Sequence, residues 1–124
     1  VSEFMTRDPT PIDAGLSLAD ARDRMASERI RHLPVTRDQR LVGIVSARDL
    51  MSLESMPGVS ASEIYVENAM SADPVTFAPG TGVGAVLDVM ADQAIGAIPI
   101  TEDGRLVGIF TTVDAIKLLR RALT

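Results

Sequence analysis

Two short stretches of the chain carry polar groups at a spacing that could do chemistry: Ser46-Ala47-Arg48-Asp49 and Thr111-Thr112-Val113-Asp114. In each, a hydroxyl stands three residues ahead of a carboxylate, directly after a run of glycine and apolar residues, Gly43-Ile44-Val45 and Gly108-Ile109-Phe110. An ionised carboxylate accepts from two hydroxyls at once, and such charge-assisted bonds are the strong kind. If the hydroxyl opens a helix, free backbone N–H groups beside it also favour an anion such as phosphate. The same spacing equally describes a capping box, with Ser46 and Thr111 as N-caps and Asp49 and Asp114 at N3. Ligand binding and capping stay open together, since one carboxylate can do both.

Other chemistries are poorly served. The 124 residues include no Cys and a single His, His32, so thiol chemistry, Cys-ligated zinc and His-rich metal sites are excluded. No Ser/His/Asp grouping recurs at a meaningful spacing, and no catalytic activity is expected. One decoy exists. Gly80-Thr81-Gly82-Val83-Gly84-Ala85 satisfies a dinucleotide-binding glycine pattern, with Glu102 about 20 residues on. The corresponding stretch Gly15 to Asp20 lacks the glycines, and the next strand turns back at Asp103-Gly104 where a dinucleotide fold would continue into a crossover helix.

Composition sets the frame around these residues. With 46% hydrophobic and 23% charged residues, the chain reads as a globular domain that needs no disulfide or metal. Its 12 basic and 17 acidic residues give net charge -5, the wrong sign for gripping a nucleic-acid backbone. Apolar runs fall far short of the roughly 18 residues a membrane span needs, and no signal peptide is read, so a soluble, cytoplasmic location is expected. The segment could nevertheless have been cut from a longer membrane protein or enzyme.

The elements that must position the two stretches are written twice. Residues 1–59 laid on 66–124 align without a gap and share 19 identities, including Met5/Met70, Asp8/Asp73, Pro9/Pro74, Met25/Met90, Pro34/Pro99 and Asp49/Asp114. Arg40-Leu41-Val42-Gly43-Ile44 recurs intact as Arg105 to Ile109. Each half predicts a short extended piece (Val75 to Ala78, more weakly Thr10 to Asp13) and then an amphipathic helix. That helix carries Leu18, Ala21 and Met25 in one copy, and Val83, Val86, Leu87, Met90, Ala91 and Ala94 in the other. A β-hairpin follows, turning at Glu102-Asp103-Gly104 in the second copy, and a final helix spans Ala47 to Leu53 or Thr112 to Leu123. Pro99 suggests an edge strand, and the paired methionines read as core. Ser60-Ala61-Ser62-Glu63 predicts the start of a short linking helix. The expected fold is α/β (α+β): two β-α-β-β-α repeats at 1–59 and 66–124, joined by a linker at 60–65 and packed about a pseudo-twofold axis, with a cleft between them.

Two ordered sets of Asp-Pro, apolar helix, apolar-Pro-apolar strand (Leu33-Pro34-Val35, Ile98-Pro99-Ile100) and Leu-Val-Gly-Ile followed by Ser/Thr-x-x-Asp resemble the cystathionine-β-synthase (CBS) domain. A tandem pair of these is a Bateman module, and the resemblance covers nearly the whole chain. It implies a regulatory module that binds an adenosyl nucleotide (AMP, ADP or ATP, with NAD or S-adenosylmethionine as further candidates) and transmits its occupancy to a linked or partner protein. The alternative is a ligand-free dimerisation module; a homodimer is expected on either reading, since Val113, Ile116 and Leu119 leave an apolar helix face. By the resemblance, ribose falls on Ser46 and Asp49 and on Thr111 and Asp114. Phosphate falls on Arg31 and His32, with Arg48 as a further candidate, and adenine lies against Thr10 and Ile12, or Val75 and Thr76. Gly96 and Ala97 stand where the second half would need its basic pair, which departs from the pattern. Eleven of the twelve basic residues are arginine, so a solvated arginine surface is the plain alternative for Arg31.

Overall fold

The computed structural model describes residues 1–124, which form two compact units: Thr10–Pro74, and Val1–Pro9 together with Val75–Thr124. In the first, β2 (Ile12–Asp13), α1 (Leu18–Glu28), β3 (His32–Arg37), β4 (Arg40–Ser46), α2 (Ala47–Glu54) and β5 (Ser71–Ala72) follow in order. In the second, β1 (Thr6–Arg7) precedes α3 (Val83–Gln93), β6 (Ala97–Glu102), β7 (Arg105–Thr111) and α4 (Thr112–Leu123). The spatial units therefore differ from the sequence repeats by one piece each, the residues ahead of Asp-Pro. These supply β1 to the sheet of the second hairpin and β5 to the sheet of the first.

The first unit holds a sheet in the order β2-β3-β4-β5, with β2 parallel to β3 and the other pairs antiparallel. Its hairpin turns through Asp38 and Gln39, both at positive φ. One face of α1 buries Leu18, Ala21 and Met25 against Ile12, Leu33, Val35 and Val45. Each large apolar side chain so removed from water contributes about 1.5–3 kcal/mol before entropy is counted. Helix α1 begins at Ser17, which forms a capping box with Asp20, and stops where Arg29 turns left-handed. The linker also closes this end: the carbonyls of Ile64 and Ala61 accept from Leu18 N and Ala19 N at 2.9 and 3.0 Å, satisfying N–H groups that a helix start leaves unpaired. The linking helix expected from Ser60 is a single turn, with Glu63 N on Ser60 O, followed by a 3₁₀ turn at Val66–Asn68. Ser60 Oγ is engaged with Ser62 Oγ instead of capping, and so short a segment cannot recover the cost of nucleating a helix.

The second unit repeats this plan with the order β1-β7-β6. The piece expected as a strand at Val75 to Ala78 contracts to one parallel bridge, Phe77 to Ile100. The better-formed short strand is Ile12–Asp13, the copy with the weaker sequence signal. Phe77 N donates to Pro99 O and Thr101 N to Phe77 O, so the N–H that Pro99 lacks falls on the outer side of β6, where no full strand asks for it. Val86, Met90, Ile98, Ile100 and Phe110 make the core, with Val83 and Leu87 packed against it. Ala94 is exposed, contrary to the expected stripe, because α3 ends at Gln93 and Ala94 is its left-handed cap; Ala91, inside the helix one position past the buried Met90, is exposed as well. Strand β7 turns back from β6 through Asp103 and Gly104, both at positive φ, which removes the dinucleotide-fold reading of the glycines before α3.

Met70 and Met5 lie over Gly43 and Gly108. A Cβ on Gly43 would come within 2.5 Å of Met70 Sδ, and one on Gly108 would strike Met5 Sδ. These glycines leave room for the thioethers to seal the short outer strand onto each hairpin.

Candidate functional site

The end of β4 and the start of α2 carry the first polar stretch. Ser46 is the N-cap: its Oγ accepts from Asp49 N at 3.1 Å, while Ser46 N donates to Asp49 Oδ2 at 2.8 Å. The capping reading is therefore met here, yet only one carboxylate oxygen is spent on it. Asp49 is half-buried, and its Oδ1 accepts no hydrogen bond from the protein.

Strand pairing delivers the basic residues to this end. His32 lies directly opposite Ser46 across β3 and β4, and Ala47 N donates to Arg31 O at 2.8 Å, tying the Arg31-His32 segment to the first turn of α2. Burial pushes the His32 imidazole below its ordinary value of 6.5; the Asp49 carboxylate works against that shift and the Arg31 guanidinium adds to it. His32 is thus a neutral, half-buried donor or acceptor near neutral pH. Arg31 and Arg48 are exposed and take part in none of the ion pairs, which join Arg22 to Glu54, Arg24 to Glu28 and Arg37 to Glu67. Both keep their guanidinium groups free for an anion.

Thr10 is exposed just before β2, whereas the Ile12 side chain belongs to the core, leaving only backbone for a ligand at that position. In the other unit Val75 and Thr76 are exposed in irregular chain before the Phe77 bridge.

The second polar stretch is built alike and occupied differently. Thr111 N donates to Asp114 Oδ2 at 2.9 Å, with Thr111 Oγ1 at 3.3 Å from the same oxygen. Asp114 is buried, only 6% exposed, and the Thr6 hydroxyl donates across its carboxylate, 3.2 Å from Oδ1 and 3.4 Å from Oδ2. Gly96 O accepts from Thr112 N as Arg31 O does from Ala47 N, but no basic side chain comes with it. Thr6 was not among the residues singled out from sequence. The signal was present in the repeat alignment, which sets Thr6 on Ser71 as hydroxyls following the paired methionines.

The CBS domain model matches this chain twice, at residues 1–55 and 61–121. Among curated proteins, MJ1225 of Methanocaldococcus jannaschii is 29% identical over 128 residues, covering 94% of this chain and 46% of that protein. The chain thus spans less than half the length of this relative. Two solved CBS structures share the fold at 23% identity. The CBS domain pair of MJ0100, in complex with 5′-methylthioadenosine and S-adenosyl-L-methionine, gives a TM-score of 0.89 over 98% of this chain and 96% of that one. CBSX2 in complex with AMP gives 0.88 over 100% and 98%. With both halves matched and the motif residues in register, the chain belongs to the CBS domain family as a tandem pair.

Proposed function

We propose that this pair is a regulatory module that binds an adenosyl nucleotide, with the ribose on Asp49 and the phosphates toward Arg31, His32 and Arg48. The observation that carries the reading is the Asp49 carboxylate: one oxygen closes the capping box and the other is left without a protein donor, at the end of the sheet to which strand pairing brings Arg31 and His32 and where Arg48 precedes it, with neither arginine in an ion pair. A ribose diol supplies hydroxyl donors and a phosphate supplies the anion, so one nucleotide matches both features. The adenosyl ligands of MJ0100 and CBSX2 support the same class. AMP, ADP and ATP, with a terminal phosphate, fit the basic residues best; NAD presents the same ribose with its diphosphate bridged to a second nucleoside, and S-adenosylmethionine presents it with no phosphate. Adenine would rest on the Thr10 and Ile12 backbone. Transmission to a linked or partner protein requires that the nucleotide favour one arrangement of the pair over another, because a ligand shifts an equilibrium only by its differential affinity.

Melting of the chain against AMP, ADP, ATP, NAD and S-adenosylmethionine tests the class, and calorimetry on Asp49→Ala tests the residue. The expected result is stabilisation by at least one nucleotide and a loss of roughly 1.5–3 kcal/mol, about tenfold to a hundredfold in affinity, in the variant. Unchanged affinity with a lowered Tm would leave Asp49 as a helix cap alone. A second reading, a dimerisation module without ligand, draws on one feature: Val113, Ile116 and Leu119 of α4 are each more than half exposed along one stripe.

A further inference from the structure

The two carboxylates of the repeated motif are not in the same state, and the difference traces to one hydroxyl. Thr6 pairs with Ile109 in β1 and β7 just as Ser71 pairs with Ile44 in β5 and β4, so the two residues hold the same place in their units. Thr6 Oγ1 lies within 3.4 Å of both oxygens of Asp114, while Ser71 makes no hydrogen bond to Asp49. Asp114 Oδ2 is further engaged by Thr111, and the residue is buried where Asp49 is half-buried. A ribose approaching Asp114 would have to expel the Thr6 hydroxyl; at Asp49 it meets an unpartnered oxygen. An intramolecular donor already held by a strand pairing competes at high effective concentration.

We infer that Thr6 is an internal occupant of the second nucleotide position: its hydroxyl stands where a ribose hydroxyl would bind Asp114, so the chain loads one ribonucleotide, at Asp49. This rests on the ribose role proposed for Asp49 and goes beyond it by assigning the stoichiometry to a residue outside both motifs. Removing the hydroxyl frees a carboxylate that matches Asp49 in position and chemistry.

Calorimetric titration of the full chain with AMP decides it. The expected stoichiometry is one AMP per chain in the wild type, two in Thr6→Ala with the second at least tenfold weaker for want of basic residues, and one again in Thr6→Ala/Asp114→Asn. Asp49→Asn should weaken the wild-type site by about tenfold. Two AMP per chain in the wild type would overturn the inference with no variant needed, and one AMP in both wild type and a folded Thr6→Ala would do the same. Wild-type binding that Asp49→Asn leaves intact, or no AMP binding by any form, would instead overturn the nucleotide reading beneath it.

Discussion

Alanine at Gly43 and alanine at Gly108 are the same change at repeat-related positions, but they should differ in cost. At Gly43 the new Cβ would lie 2.5 Å from Met70 Sδ, 2.9 Å from Met70 Cγ and 2.8 Å from the Ser71 carbonyl oxygen. A thioether can swing aside through its rotatable bonds. The carbonyl cannot, because it belongs to β5, which is held to β4 by the pairs Gly43 to Ala72 and Ile44 to Ser71. At Gly108 every close atom belongs to the Met5 side chain. Overpacking costs typically about 1–3 kcal/mol, and the backbone collision places Gly43→Ala toward the top of that range and Gly108→Ala toward the bottom. Neither glycine has positive φ, so the gain from a less flexible unfolded chain, about 0.4–1 kcal/mol, is common to both and leaves the difference intact. For a chain of this length 1 kcal/mol corresponds to about 4 °C in Tm. The expected result, read by circular dichroism on heating, is therefore a Tm for Gly43→Ala about 4–8 °C below that of Gly108→Ala. Equal values or the reverse order would refute the claim that the Ser71 carbonyl, and not the methionine, sets the packing limit.

Affinity should rise from adenosine to AMP to ATP in calorimetry, and Arg31→Ala should flatten that series; an unaltered series would move the phosphate contact to Arg48 or to backbone N–H groups of α2. Because burial holds native His32 below 6.5, the unfolded chain takes up a proton first as pH falls through 6.5, so stability in urea titrations should drop from pH 7.5 to pH 5.5. His32→Gln should remove that drop, and a wild-type stability independent of pH over this range would count against it. For the same reason, the gain in affinity from adenosine to ATP should not vary with pH above 7, where Arg31 alone supplies the charge, and should steepen only below 6.5 as His32 protonates. Light scattering at micromolar concentration should give twice the 13.2 kDa chain mass, and Ile116→Asp with Leu119→Asp on the exposed stripe of α4 should return the monomer value; a wild-type monomer would refute the dimer.

Legibility followed the range of the interactions. Helix α4 and both hairpins were readable because periodicity and turn residues are local, and the repeat let one copy confirm the other. Ser60 looked like a helix start because a capping pattern states only that a helix is possible; its length was decided by contacts with α1, far off in sequence. The short strands differ because Ala14 N donates to Thr36 O and extends the pairing of β2, whereas its repeat counterpart Pro79 has no N–H to give. At the candidate site, Asp49 and Asp114 were found through spacing, but their unequal burial depends on a donor 108 positions away from Asp114. No local pattern encodes such a contact.

The assignment of Val1–Pro9 to one unit and Thr10–Pro74 to the other makes the chain an insertion: a contiguous domain interrupts a host whose two pieces are separated by 65 residues. The host cannot close its sheet until β1 meets β7, a contact spanning about a hundred residues that carries a large loop-closure entropy in the open chain. Folding of the inserted unit replaces most of that flexible loop with a compact body. Synthesis completes the inserted unit before β7 is made, so chain order and entropy favour the same sequence: the half bearing Asp49 forms first, and the half bearing Asp114 assembles on a strand made ahead of the insert.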